Sequence, residues 1–223
     1  MGVAGEARGC ALALPSDDVI VARLRSGDEA MFALLLNAWS SGLSRAARAY
    51  VSTKESAEDV VQDTWLAVIR GINRFEGRSS LRTWVYRIMI NTAKTRGVKD
   101  KRTVPMTDLT PEDSGPTVDP SLFRGPDDPY PGHWKEFPPQ WPSVETEVEG
   151  RQVRQRIEEA IGRLPARQRI VITLRDVESY SADEVCALLE ISTANQRVLL
   201  HRARAAVRAD LESYFTADEG ARR

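Results

Sequence analysis

Three groups of residues have the types and spacing to do chemistry. Asp59 and Asp63 stand four apart, which on a helix sets two carboxylates on one face. Paired carboxylates can serve a hydrolase, but no companion histidine, nucleophile or Gly-rich phosphate loop lies near them, and the sequence predicts no active site. The segment 191–208, ISTANQRVLLHRARAAVR, carries four arginines, one histidine and no acid. A helix that basic either carries solvated arginines or lies against something negative, and phosphates are the usual target. The third group, FEGRSSLRTWVYRIMIN, interleaves aromatic and basic residues, a pattern suited to single-stranded nucleic acid because bases stack on rings while cations hold the backbone.

Other chemistries lack their parts. Cys10 and Cys186 are the only cysteines, neither in a C-x-x-C, and no histidine stands at ligand spacing, so no disulfide framework, metal site or cofactor is expected. Cys186 reads as a small core residue and His133 as a residue without a partner ligand. The first residues, MGVAGEARGCALALPSDD, are too weakly apolar and basic for a signal peptide, and Glu6 counts against myristoylation. No run of apolar residues is long enough to cross a membrane, and a reduced, cytoplasmic setting fits best. The net charge of −1 points to no partner, yet charge is segregated: residues 74–102 hold nine Lys/Arg against two acids, and residues 103–150 hold two against ten.

These residues need elements to position them. Ten of the twelve prolines fall between Pro105 and Pro142, where neither a helix nor a central strand can form. On both sides apolar residues recur at helical spacing without strict alternation. The fold class expected is therefore all-α: a disordered tail over 1–16, a helical domain over 17–104, an extended acidic linker over 105–143, a second helical domain over 144–215 and a C-terminal tail over 216–223. The Pro-rich linker should let the domains adopt many relative poses.

Within the first domain, two helices break near Ser26-Gly27, and Ser56 offers an N-cap for the next. On that helix Val61, Trp65, Val68 and Ile72 share a core face, while Asp59, Gln62, Asp63, Leu66 and Arg70 share the opposite one. Such an acidic stripe is either a solvated face or a docking surface for a basic protein helix. The helix after it has Leu81, Trp84, Val85, Ile88 and Thr92 on one side and Thr83, Arg87, Asn91 and Lys94 on the other. Trp84 is thus more a core residue than a stacking platform; Phe75, in the Gly-Ser loop, is the better candidate to touch a base.

In the second domain, Ser181 with Glu184 forms a capping box ahead of a short helix, and Glu190, Ile191 and Ser192 make a three-residue turn into a second helix capped by Ser192 or Thr193. This is a helix-turn-helix pattern. Leu200, Ala203 and Val207 face inward in the second helix; Val198, His201 and Arg202 face outward, flanked by Asn195 and Arg197.

The motifs AEDVVQDTW, FEGRSSLRTWVYRIMINTAK, LPARQRIVITLRDVESYSADEVCALLEIS and LLHRARAAV, in that order, resemble regions two and four of the sigma-70 class in its two-domain, extracytoplasmic-function (group IV) form. The resemblance spans 17–104 and 144–212. It implies a non-enzymatic RNA polymerase sigma factor with no small-molecule substrate. The D-x-x-Q-D/E pattern, here Asp59, Gln62 and Asp63 with Leu66 beside them, would dock on the clamp coiled coil of the polymerase largest subunit, and the flap would be a second contact. Phe75, Arg78, Ser79, Ile88 and Asn91, with Trp84, Arg87 and Lys94, would read and melt the minus-ten element. Thr193, Asn195, Arg197, Val198, His201, Arg202 and Arg204 would address the minus-thirty-five duplex. An anti-sigma factor is implied as a further partner.

Three positions depart from the family pattern: Glu190 where Gly is frequent, Gln196 at an apolar inward position, and Val198-Leu199 in place of Ser-Arg. Apolar side chains there can touch a thymine methyl but make no bidentate contact to guanine, so no family consensus sequence carries over. Trp134, Phe137 and Trp141 in the linker suggest either an anchoring patch on the polymerase or an inhibitor, or a contact between the domains. The rival reading is a free-standing helix-turn-helix regulator, which would have no use for the Asp59/Gln62/Asp63 stripe or the aromatic-basic loop.

Overall fold

A computed structural model of the chain describes residues 14–99 and 147–221, which form eight α-helices and no strand. The tail residues 1–13, the linker with His133, Trp134, Phe137 and Trp141, and Cys10 lie outside the described residues. Helices α1 (Asp17–Arg25), α2 (Glu29–Ala47), α3 (Lys54–Gly71) and α4 (Leu81–Lys99) make the first block; α5 (Glu147–Arg163), α6 (Ala166–Ile172), α7 (Ala182–Leu189) and α8 (Thr193–Ala221) make the second.

Local chemistry sets the helix ends. Asp28 caps α2, its carboxylate accepting from the Met31 amide at 2.9 Å and from Arg23 at 2.7 Å. These bonds favour the charged form and hold Asp28 below the ordinary carboxylate range. The N-cap of α3 is Thr53, whose hydroxyl accepts from the Ser56 amide at 3.1 Å. Ser56, the expected cap, lies inside the first turn because the extended backbone needed for capping falls at Thr53.

In the first block Val61, Trp65, Val68 and Ile72 are buried as expected. Trp65 meets Phe32 edge-on and Trp39 in a stacked arrangement, and its ring N–H donates to Ser40 at 3.0 Å. An aromatic pair of this kind contributes about 0.5–1.5 kcal/mol beyond its buried area. Helix α4 differs from its expected one-sided pattern. Tyr86, Met89, Ile90 and Ala93 are buried beside Leu81 and Val85, Trp84 and Ile88 are half-buried, and Thr83, expected to face outward, is buried. The cause is a second neighbour, since α4 packs on α3 and α2 on one side and on α7 of the other block on the other.

The second block wraps α8 against α5, α6 and α7. After α6 the chain continues through a π-helical turn, Thr173–Val177, that carries Glu178 to the first block. Glu178 is buried there: Arg45 donates to it at 2.8 Å, Arg82 at 2.7 Å and the Tyr86 hydroxyl at 2.8 Å. Arg82 also donates to the Glu178 carbonyl at 2.9 Å and stacks over the Tyr180 ring, while Thr83 donates to Glu184 at 3.4 Å. The two blocks therefore meet through a specific buried ion cluster, in contrast to the many poses that the linker composition suggested.

Candidate functional site

The polar stripe of α3 stands free of the core. Asp59, Gln62, Asp63 and Leu66 are all exposed, opposite the buried Val61, Trp65 and Val68. Its charge is partly balanced from within, because Arg96 of α4 pairs with Asp59 at 2.5 Å and lies 3.9 Å from Asp63. Sequence reasoning missed a continuation of this face. Ile69, one turn beyond Leu66, is equally exposed and opens onto an apolar groove of about 190 Å³ lined by Leu24, Phe32, Val68 and Ile72. The i, i+3 spacing of two large apolar residues on an otherwise polar face was the available signal.

The aromatic-basic segment is braced from α1. Arg25 donates to the carbonyls of Ile72 and Phe75, the latter at 2.7 Å, and the Asp17 carboxylate accepts from the Leu81 amide at 2.7 Å. Between these clamps the loop turns at Gly77, whose φ of +71° lies in the left-handed region. Phe75 is half-buried and packs on Trp84, ring centroids 5.2 Å apart, so the two act as one apolar unit and Phe75 is no free platform. Arg78 is 87% exposed, 3.1 Å from Glu76; Arg87 and Asn91 are exposed, and Ser79, Ile88 and Lys94 are half-buried.

The helix-turn-helix follows the sequence closely. Ser181 and Glu184 form the capping box of α7, at 3.3 and 2.9 Å, and these bonds hold the Glu184 carboxyl below its ordinary value. The Ser192 hydroxyl accepts from the Asn195 amide at 3.2 Å, which settles the cap of α8 on Ser192. Thr193, Arg197, Val198, His201 and Arg204 are exposed along one side, and Asn195 and Arg202 are half-buried at its edge. Arg204 is engaged to both oxygens of Asp176, at 2.7 and 2.8 Å. Leu200 and Ala203 are buried as expected, and so is Leu199; Cys186 is half-buried instead of fully enclosed.

Among the described residues no cluster of histidine, cysteine and acidic side chains could hold a metal, and no helix is long and apolar enough to cross a membrane. The arrangement offers three surfaces: an acidic and apolar stripe, a basic loop-helix edge and a basic helix preceded by a capped partner. The junction residues Arg45, Arg82, Tyr86 and Glu178 went unnoticed in the sequence. Gly42, alone in the middle of α2, was the one hint of a close approach there.

Two family models match the chain: Sigma-70 region 2 over residues 35–103 and Sigma-70, region 4 over residues 154–207, together just over half of it. Among curated relatives, the ECF RNA polymerase sigma-E factor of Salmonella typhimurium is 29% identical over 192 residues, 86% of this chain and 92% of that one. Among solved structures, CnrH in complex with the cytosolic domain of CnrY aligns with a TM-score of 0.54 at 22% identity, over 89% of this chain and 99% of that one. The sigma factor RpoE of Bartonella quintana, in complex with the anti-sigma factor NepR, aligns with a TM-score of 0.52 at 22% identity, over 81% and 96% of the two chains.

Proposed function

This chain belongs to the sigma-70 family, in its extracytoplasmic-function class, and from that premise we infer that it binds core RNA polymerase and directs promoter-specific transcription initiation. The observation that carries the reading is the pairing, in one chain, of an exposed α3 stripe with a capped helix-turn-helix; a DNA-binding module alone would use only the second.

Asp59, Gln62, Asp63 and Leu66 form the polymerase contact, a polar line flanked by an apolar one that a basic, amphipathic coiled coil complements. Arg96 keeps Asp59 and Asp63 in place while leaving their outer faces to solvent. Phe75, Arg78, Ser79, Trp84, Arg87, Ile88, Asn91 and Lys94 form the minus-ten surface. Extruding a base costs a few kcal/mol, which hydrogen bonds to its edge and contact with the half-buried Phe75–Trp84 pair would offset, so melting needs no bond-breaking step in this chain. Thr193, Asn195, Arg197, Val198, His201, Arg202 and Arg204 meet the minus-thirty-five duplex, with arginines on phosphates and Val198 placed for a thymine methyl. For Arg204 this contact exchanges Asp176 for a phosphate. A sigma factor acts where the chromosome is, which supports a cytoplasmic setting, and an anti-sigma factor that covers the α3 stripe is its expected regulator.

Run-off transcription with core polymerase on genomic fragments tests this, comparing the intact chain with an Asp63→Arg, Leu66→Arg double variant. Both side chains are exposed, so the variant should keep its melting temperature yet lose every start site that depends on the chain. A chain that binds duplex DNA but never joins core enzyme or directs initiation would instead be a free-standing regulator.

A further inference from the structure

We propose that the cleft between the two helical blocks is a binding site for an organic phosphate of nucleotide size. The end of α2, the turn into α3, α5, α6 and the π-helical turn enclose about 670 Å³, within the range of small-molecule sites, roughly 300–1,000 Å³. Four arginines line it, Arg45, Arg48, Arg154 and Arg169, and Glu158 is its one carboxylate. Arg45 is committed to Glu178. The guanidinium groups of Arg48 and Arg154 are in no ion pair among the described residues, and the half-buried Arg169 has carbonyl partners only, those of Arg48 at 3.0 Å and Leu164 at 2.9 Å. Its Nε is buried with no hydrogen-bond partner among the described residues. Burial and the neighbouring Arg48 both weaken its hold on the proton. Arg48 and Arg154 are exposed and Arg169 is half-buried, so three cations face one exposed acid across the cleft and leave it net positive.

Guanidinium groups match phosphate oxygens in geometry and charge. Beside Ser52 and Thr173 the lining carries four aliphatic side chains: Val51 is buried, Ile157 and Ile161 are half-buried, and Val177 is 42% exposed. A multiply charged head on the arginines and a planar or apolar body over these side chains uses both halves of the cleft. An acidic peptide would use the arginines but would run across the surface instead of filling a concavity. Since the walls come from both blocks, the ligand would also favour the arrangement in which they touch.

Calorimetric titration of the full chain at physiological ionic strength tests this with ATP as the probe, and with inorganic triphosphate and adenosine as its two halves. ATP should saturate one site and bind more tightly than either half. Arg48→Gln and Arg154→Gln, exposed side chains without ion-pair partners among the described residues, should each weaken it about tenfold or more, as loss of one charge-assisted hydrogen bond implies. Arg70→Gln, exposed on α3, should leave binding unchanged. The proposal falls if ATP does not saturate, if the two variants bind it as the parent does, if triphosphate alone matches ATP, or if a Glu-rich peptide binds there and ATP does not. No polymerase or promoter enters the measurement, so its failure and that of the initiation reading are separable.

Discussion

Glu178 sits within hydrogen-bonding distance of Arg45, Arg82 and Tyr86, and its carboxylate and the Tyr86 hydroxyl lie directly against Gly42 of α2. A Cβ at position 42 would come within 2.5 Å of both oxygens. Helix propensity alone says that Gly42→Ala should stabilise α2 by about 0.8–1 kcal/mol. Packing says the reverse, because forcing extra volume into a filled site costs about 1–3 kcal/mol. Gly42→Ala is therefore expected to lower the urea midpoint, or to free the second block from the first; a rise in stability with the blocks still in contact would show that the close approach does not hold. None of this was legible from Glu178 in the sequence, where it reads as one more surface acid. Its partners Arg45 and Arg82 are 133 and 96 residues away, and pairs at such separation leave no local periodicity. The Asp59 stripe was legible because its residues recur at helical spacing, whereas Arg96, which partly neutralises it from the next helix, was not.

At the scale of elements, the helix-turn-helix was the most legible part of the chain, since its ends are written in capping residues. Ser181 and Glu184 bond as the capping box requires, and α8 begins after Ser192. Two of its three departures from the family pattern carry costs that the structure makes specific. Glu190 ends α7 in the left-handed region, φ +57°, without being glycine, and a side chain there is disfavoured by about 1–2 kcal/mol. Glu190→Gly should raise the melting temperature of the second block, less the entropy that glycine gains on unfolding, for a net gain of about 0.5–1 kcal/mol. Gln196 is 2% exposed, and its amide nitrogen has no hydrogen-bond partner among the described residues. An unsatisfied buried polar group costs about 1–3 kcal/mol, so Gln196→Leu should stabilise by about 1–2 kcal/mol in a denaturant titration. An unchanged midpoint would mean that the amide is satisfied in solution. Helix α4 was less legible: its periodicity gave one core face, but Thr83 meets Glu184 of α7 and Tyr86 meets Glu178 and Tyr180 just ahead of it, neighbours from another block that a local pattern does not register.

For the molecule as a whole, the linker composition gave two blocks and left their pose open, while the structure joins them through one buried cluster. In that pose α7 of the helix-turn-helix lies against α4, the helix we propose for melted DNA, so the surfaces proposed for the two promoter elements are tied together at Arg82, Thr83 and Tyr86. Glu178→Ala tests how much of the pose rests on the cluster. It removes two ion pairs and leaves the Tyr86 hydroxyl without its acceptor. Breaking a fully buried pair costs about 3–5 kcal/mol. Arg45 and Arg82 are 41% and 35% exposed and recover part of their hydration, so about 1–3 kcal/mol is the appropriate scale. Contacts that remain between the blocks include the Arg82 bond to the residue-178 carbonyl, the Arg82 stack over Tyr180, the Tyr86–Tyr180 ring contact, the Thr83–Glu184 bond and the Arg169 bond to the Arg48 carbonyl. Those contacts are few and partly exposed, and a linker of this length permits wide separation once they yield. Glu178→Ala should therefore increase the radius of gyration measured by small-angle scattering, while far-ultraviolet circular dichroism keeps its helical amplitude, because the core helices of each block pack mainly among themselves. A variant that stays as small as the parent would place the closure in the remaining ring and backbone contacts, and Arg82→Ala, which removes the Tyr180 stack and the bond to the residue-178 carbonyl along with the ion pair, would then be the substitution that opens the molecule.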